Sequence, residues 1–296
     1  MTSFLGYLVN GLSVGLTYGL VVLGFVVIYR GTRVINFAQG SLLVLGAYLT
    51  VRLQGSVGFI GAVLVAVVLT AAFCVVLNRL FLRPLRKAPQ DIPAILMIGV
   101  DIVLVADLTR RIGSDVLTMN DPWGSHNVDL GGVLIAQSRL VALVVSIVVI
   151  AAFLAANKYT SIGLSSRAAA EDRETAALMG ARLGRVSDFA WICGGGLAVI
   201  AGVFLVLYPS PGLVSDTNTV AILAFPAAII GGLDSVWGAL VGGLLVGLVQ
   251  SFGSGYQSQI DFLGAGAADI LPWILMVVVL LIKPTGLFGK QPLTRI

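Results

Sequence analysis

Apolar runs of about 20 residues recur along the whole chain, and each is long enough to cross about 30 Å of hydrocarbon as a helix. Nine can be marked, at roughly 4–29, 34–52, 57–82, 92–108, 139–156, 187–208, 218–233, 236–253 and 266–282. A chain patterned this way buries its surface mainly against lipid and neighbouring helices. Composition agrees: 11% of the 296 residues are charged and 58% are hydrophobic, whereas a soluble domain carries about 25% charged residues. The expected fold is therefore an all-α polytopic membrane protein, a single domain over 1–296. About nine transmembrane helices are expected, within a range of eight to ten, some of them discontinuous. The 36 glycines fall largely inside the apolar runs, where they let helices pack backbone to backbone. Pro226 and the Gly231-Gly232 pair mark 218–233 as a candidate broken helix. The first run, MTSFLGYLVNGLSVGLTYGLVVLGFVVIY, has no basic leader and is longer than a signal-peptide core. It is expected to be a retained first span.

The basic residues order these runs. Arg30 and Arg33 follow the first run, and Arg79, Arg83, Arg86 and Lys87 the third. Lys158, Arg167, Arg173, Arg182 and Arg185 follow the fifth, and Lys283, Lys290 and Arg295 the ninth. All four clusters follow odd-numbered runs, so nine crossings with the N-terminus outside and the C-terminus inside put every cluster in the cytoplasm. Arg110, Arg111 and Arg139 border the outer loop and dissent mildly; an eight-crossing version with one re-entrant Gly-rich segment stays open. The same loops account for the net charge of +4 without invoking nucleic acid. Two stretches echo each other, INFAQGSLLVLGAYL (35–49) and IIGGLDSVWGALVGGLLVGLV (229–249). Both set small and polar residues before a Gly-punctuated helix, a pattern shared by transporter pathways and by plain packing faces.

Enzyme signatures are missing. There is no H-E-x-x-H, no G-x-S-x-G and no Cys/His cluster at metal spacing. The lone His126 lies in an expected outer loop, and Cys74 and Cys193 sit within apolar runs, so no disulfide is expected. GLFGK (286–290) lacks the spacing of a phosphate loop, and Gln291 stands where Ser or Thr belongs. No nucleotide site, metal or cofactor is expected in this chain.

Polar residues inside the runs are the pathway candidates, because each is costly in hydrocarbon. Asn36, Gln39 and Ser41 enter the second run together, with Phe37 and Gly40 between them. They form either a helix start capped by Asn or a polar terminus aimed into a substrate path. Asp101, in the middle of ILMIGVDIVLVADL, has to be protonated, partnered or facing a wet cavity. A partner on another helix and a proton relay are both readings of it. Pro226 joins the set as a potential break.

The segment RAAAEDRETAALMGARLGRV (167–186) is the most highly charged part of the chain. Its Ala-rich centre predicts a short helix over 168–180 stopping at Gly180, within a polar loop at 157–186. Ala170, Ala177 and Met179 supply small apolar contacts among the charges, which suits a docking surface on a protein partner.

ETAALMG (174–180) matches the Glu-x-Ala-x-x-x-Gly core of the cytoplasmic loop in permease subunits of bacterial ABC importers. The wider RAAAEDRETAALMGARLGRV resembles the branched-chain amino acid permeases of the LivH and LivM type. INFAQGSLLVLGAYL, FLRPLRKAP (81–89) and IIGGLDSVWGALVGGLLVGL resemble the LivH branch, so the resemblance runs from about residue 10 to 250. Departures are Asp234 and Trp237, where that branch often has Gly and Pro, and Asp101, where a smaller or neutral residue is expected. The resemblance implies an ABC importer permease fold in the bacterial cytoplasmic (inner) membrane. It implies a LivM-type second permease, two ATPase subunits that bind ATP and Mg, and an extracytoplasmic substrate-binding protein. It makes Arg167, Glu171, Asp172, Glu174, Ala177 and Gly180 the ATPase-coupling positions. Branched-chain amino acids are the implied cargo, with urea or short amides as an alternative. A stand-alone transporter coupled to ions through Asp101 is the competing class.

Overall fold

The computed structural model describes residues 2–89, 91–120, 122–123, 126–129, 134–207, 212–214, 217–259 and 266–289. The described residues form ten α-helices: α1 (Thr2–Thr32), α2 (Gln39–Leu77), α3 (Asp91–Ile112), α4 (Gln137–Tyr159), α5 (Ser161–Glu171), α6 (Arg173–Leu178), α7 (Leu183–Leu207), α8 (Asn218–Gly231), α9 (Val236–Gly255) and α10 (Ala267–Ile282). A two-stranded hairpin, β1 (Asn127–Asp129) and β2 (Leu134–Ala136), joins α3 to α4. The lone His126 is exposed beside it, as expected of a loop residue, and its carbonyl accepts from Gln137 N at 2.9 Å.

Among the described residues six helices are long and apolar enough to cross a membrane, at Phe4–Thr32, Gln39–Leu82, Asp91–Ile112, Gln137–Tyr159, Leu183–Leu207 and Val236–Gly255. The runs expected at 218–233 and 266–282 form shorter apolar helices, Ile222–Gly231 and Ala268–Ile282. The second and third expected runs join into one kinked helical segment, continued past α2 by a π-helical turn, Asn78–Leu82. Gly58, with φ 72 and ψ 169, is the hinge inside it. On one side of the hinge, Gln39 meets Gly194 and Gly46 meets Val199, so the chain advances alongside α7. On the other, Val67 meets Gly196, Cys74 meets Gly195, Asn78 meets Ser187 and Arg83 meets Gly184, so it now runs against α7. The two arms therefore point in opposite directions. Only a residue without a Cβ takes that positive φ without strain.

The core is α1, packed between α7 and α9 with α2 beyond α7. Glycine sets how closely these helices approach. A Cβ on Gly247 would fall 2.3 Å from the Gly15 Cα, so the α1–α9 crossing is backbone on backbone. Leu20, Leu23 and Ile28 of α1 and Trp191 of α7 are fully buried around it. By contrast α3 and α4 are largely exposed along their apolar windows, as expected of surfaces that face lipid or another subunit. Helix α8 is not broken at Pro226: it continues to Gly231 and stops where Gly232 takes a φ of 94. A proline ring disrupts a helix by removing one donor, and the chain absorbs that loss without a break. The two echoing segments also begin at different heights. Gln39 starts α2 beside Gly24 and Gly194, partway along α1 and α7, whereas Ser235 starts α9 near the end of α1, next to the Asp234–Arg33 contact.

Candidate functional site

The polar segment after α4 folds as an elbow rather than the single expected helix. Asp172 leaves the helical region (φ −147, ψ 114) and splits the segment into α5 and α6. Its carboxylate accepts from Glu174 N at 2.9 Å and Thr175 N at 3.2 Å, and from the Thr175 hydroxyl at 2.9 Å. Asp bonds the first free N–H groups of a helix better than it sits inside one, so it ends α5 and starts α6. At the far end Gly180 has φ 90, with Gly180 N bonded to Ala177 O and Ala181 N to Ala176 O. That pairing closes a helix through a left-handed glycine, as the sequence led one to expect.

One face of the elbow is anchored. Ala169 and Ala176 are buried against Val186, at the start of α7. Arg173 donates to Gly31 O at 2.9 Å, and Arg33 donates to Ala170 O at 2.5 Å. Arg33 also donates to Asp234 Oδ1 at 2.7 Å. The end of α1, the elbow and the α8–α9 turn are thus held by one guanidinium. Arg33 has a positive φ of 62, the sole described non-glycine residue that does. Burial, reinforced by the neighbouring guanidiniums of Arg86 and Arg33, pushes the Arg173 guanidinium below its ordinary range. The other face is open. Leu178 and Met179 are 87% and 84% exposed, and Glu174, Thr175, Ala177 and Gly180 are exposed with them. Between α5 and α6 lies a notch of about 440 Å3, lined by Leu164, Ala168, Thr175 and Met179 among others.

The six expected coupling positions divide accordingly. Glu174, Ala177 and Gly180 lie on the open face, and Glu171 is exposed on α5. Asp172 shapes the elbow. Arg167 is half-buried and points back, donating to Asn157 O and Lys158 O at the end of α4. The clasp made by Arg33, Arg173 and Asp234 was not anticipated; in the sequence these residues are three charges far apart. Leu178 was missed as well, although an apolar Leu-Met pair closing a charged segment is a readable signal.

The pathway candidates fall into two groups. Asn36, Gln39 and Ser41 are all fully buried. Asn36 does not cap α2: its Oδ1 accepts from Ala38 N at 3.2 Å, and its amide donates to Gln39 Oε1 at 2.9 Å. Gln39 in turn donates to Gly194 O at 3.3 Å, and Gly40 is half-buried in the first turn. Asp101 of α3 lies beside Ser41, whose hydroxyl donates to Ala38 O at 3.0 Å. So the first turn of α2, which starts partway along α1 and α7, meets a carboxylate from another helix. In the second group Phe37 lies 6.1 Å from the Phe225 ring, which contacts Phe25 edge-on at 5.9 Å. Pro226, beside Phe225, is buried. No metal-holding group of His, Cys, Asp or Glu occurs among the described residues.

A bundle of membrane-length apolar helices, with a capped polar elbow exposed at one end, fits a multi-pass membrane protein. Residues 7–280 match the family described as branched-chain amino acid transport system / permease component, and the chain belongs to that family. It is 30% identical to the high-affinity branched-chain amino acid transport system permease protein BraD of Pseudomonas aeruginosa, over 99% of this chain and 98% of that one. It is 28% identical, with the same coverage, to the permease protein LivH of Escherichia coli. A probable LivH of Methanocaldococcus jannaschii is 29% identical over 91% of this chain and 88% of its own. No solved structure matches significantly.

Proposed function

We propose that the chain imports branched-chain amino acids as one membrane subunit of an ATP-driven transporter, with α6 as the element that an ATPase subunit grips. Membership of the permease family and relatives named for branched-chain amino acid transport support the cargo. The observation that carries the coupling role is the open apolar tip of α6, with Leu178 and Met179 exposed, on an elbow anchored to α1 and the α8–α9 turn. A partner that pulls on that tip moves both attachments. Two ATPase subunits, a second permease and an extracytoplasmic binding protein complete the complex.

Nine crossings with the N-terminus outside fit the helices best. The reversal at Gly58 makes two passes of residues 39–82, and the short α8 and α10 supply two more. The first three basic clusters and Lys283 then share the face that carries α5 and α6, while Lys290 and Arg295 lie outside the described residues. The buried group Asn36, Gln39, Ser41 and Asp101, with Phe37, Gly40 and Pro226 nearby, lines the path that opens during the cycle.

The test is contact. In a Cys74→Ala, Cys193→Ala background, cysteine at Leu178 or Met179 is expected to cross-link to the ATPase subunit in the assembled complex, while Gln54→Cys, near the outer loop, does not. Equal labelling of all three positions by ATPase cross-links, or none, removes α6 as the docking element.

A further inference from the structure

Three apolar helices end together on the face that carries the elbow: α1 at Thr32, α4 at Tyr159 and, reading backwards, α9 at Val236. They leave a cavity of about 490 Å3 between their ends. Its wall brings together Arg30 from the last turn of α1, Lys158 from the last turn of α4 and Arg167 from α5. We propose that this cavity holds the phosphate of an anionic phospholipid, a binding function separate from both docking and transport.

Charge is the first reason. The acidic group in the cavity wall, Asp234, already accepts at its Oδ1 from the Arg33 guanidinium at 2.7 Å. Glu171 is the other carboxylate in the field of Arg30. The wall's cations, Arg30, Lys158 and Arg167, thus share it with one carboxylate, which Arg33 already pairs, leaving room for an anionic group. The N-terminus of α9, capped by Ser235 accepting from Gly238 N at 3.0 Å, adds its partial positive charge to the same wall.

Depth and rim are the second reason, and they select a lipid over a free phosphate. Ends of membrane-length helices lie where headgroups lie. Trp237 and Tyr159 are 63% and 76% exposed there, and Phe288 is 46% exposed at the cavity edge. Amphipathic aromatics at this level rest among headgroups and the first methylenes, while a soluble anion has no use for an apolar rim. The Lys158 ammonium, exposed and 5.2 Å from the Tyr159 ring, is free to swing towards a phosphate. Basic pockets between membrane helices recognise anionic headgroups by this combination.

The experiment uses the purified full-length chain in detergent, without ATPase subunits, so its failure leaves the coupling proposal untouched and the reverse holds too. Phosphatidylglycerol and phosphatidylcholine of matched acyl chains are supplied in equal amounts, and retained lipid is counted by native mass spectrometry. The expected result is preferential retention of phosphatidylglycerol. Replacing Arg30→Gln with Lys158→Gln lowers that preference roughly tenfold or more, for two lost charges. Lys158→Glu alone, at an exposed position that leaves the packing intact, lowers it in the same direction. Equal retention of both lipids, or a preference that survives both variants, overturns the proposal. Displacement of phosphatidylglycerol by millimolar inorganic phosphate overturns it as well, by showing a site for soluble anions.

Discussion

Gly247→Leu is expected to separate α1 from α9 and to lower the midpoint of thermal unfolding in detergent by roughly 5 °C or more. The reason is local. A Cβ at Gly247 meets Gly15 Cα and N at 2.3 Å and Gly11 O at 2.7 Å, all main-chain atoms that cannot rotate away. Gly243 is also close against Gly19, its Cβ position 2.6 Å from Gly19 N, so relief at one contact tightens the next. Overpacking of a fixed interface costs about 1–3 kcal/mol, and here both helices must move apart along their length. Close packing of small residues, rather than a hydrophobic drive between helices, is what holds such bundles together. Gly99→Ala is the control, because a Cβ there meets nothing within 4 Å. It should leave the midpoint unchanged or slightly raised, since Gly weakens a helix interior by about 1 kcal/mol relative to Ala. Equal midpoints for the two variants would show that the α1–α9 contact does not set stability.

The second large effect falls on coupling. Glu174→Ala combined with Gly180→Val is expected to reduce ATP-driven uptake at least about tenfold, a loss of about 1.4 kcal/mol of productive engagement. Both residues are exposed, so inserted subunit levels should stay near those of the unaltered chain. Gly180 matters through its backbone. At φ 90 a β-branched residue is strained, and the bonds from Gly180 N to Ala177 O and Ala181 N to Ala176 O that close α6 are lost or loosened. With only six residues in α6, losing one end reorients the Leu178-Met179 tip. Glu174 lies on the same open face and follows directly after the Arg173 anchor. Uptake at the normal level in the double variant, with the subunit inserted, would remove the coupling role.

Much of this architecture was legible because hydrocarbon is an unforgiving solvent. Runs long enough to span it marked every major helix, and the basic residues placed the elbow on one face with Arg30, Arg83 and Lys158. The gap left between the runs at 52 and 57 sits close to the Gly58 hinge. The reversal itself was not legible, since it rests on one residue whose φ of 72 and ψ of 169 the sequence does not print. Asp172 was read as a member of a helix because its neighbours are strong helix formers. Its carboxylate bonds Glu174 N and Thr175 N instead, and a local cap outweighed summed propensity. Arg33 shows the other limit: its partners, Ala170 O and Asp234, are distant in sequence and defined only by how α1 meets the elbow. Asp101 fell in between. The need for a partner followed from its burial cost, and Ser41 was already among the pathway residues, yet nothing in the sequence paired the two.

On the proposed coupling, this chain moves its cargo only when ATPase subunits act on it. The most direct test is uptake of labelled leucine, isoleucine and valine into proteoliposomes. One preparation carries the chain with its second permease, ATPase subunits and binding protein; the other carries the chain alone under an imposed proton or sodium gradient. Accumulation in the first that stops when ATP is withheld, with none in the second, is the predicted result. Gradient-driven accumulation by the chain alone would contradict it, and would return Asp101 to the role of an ion site.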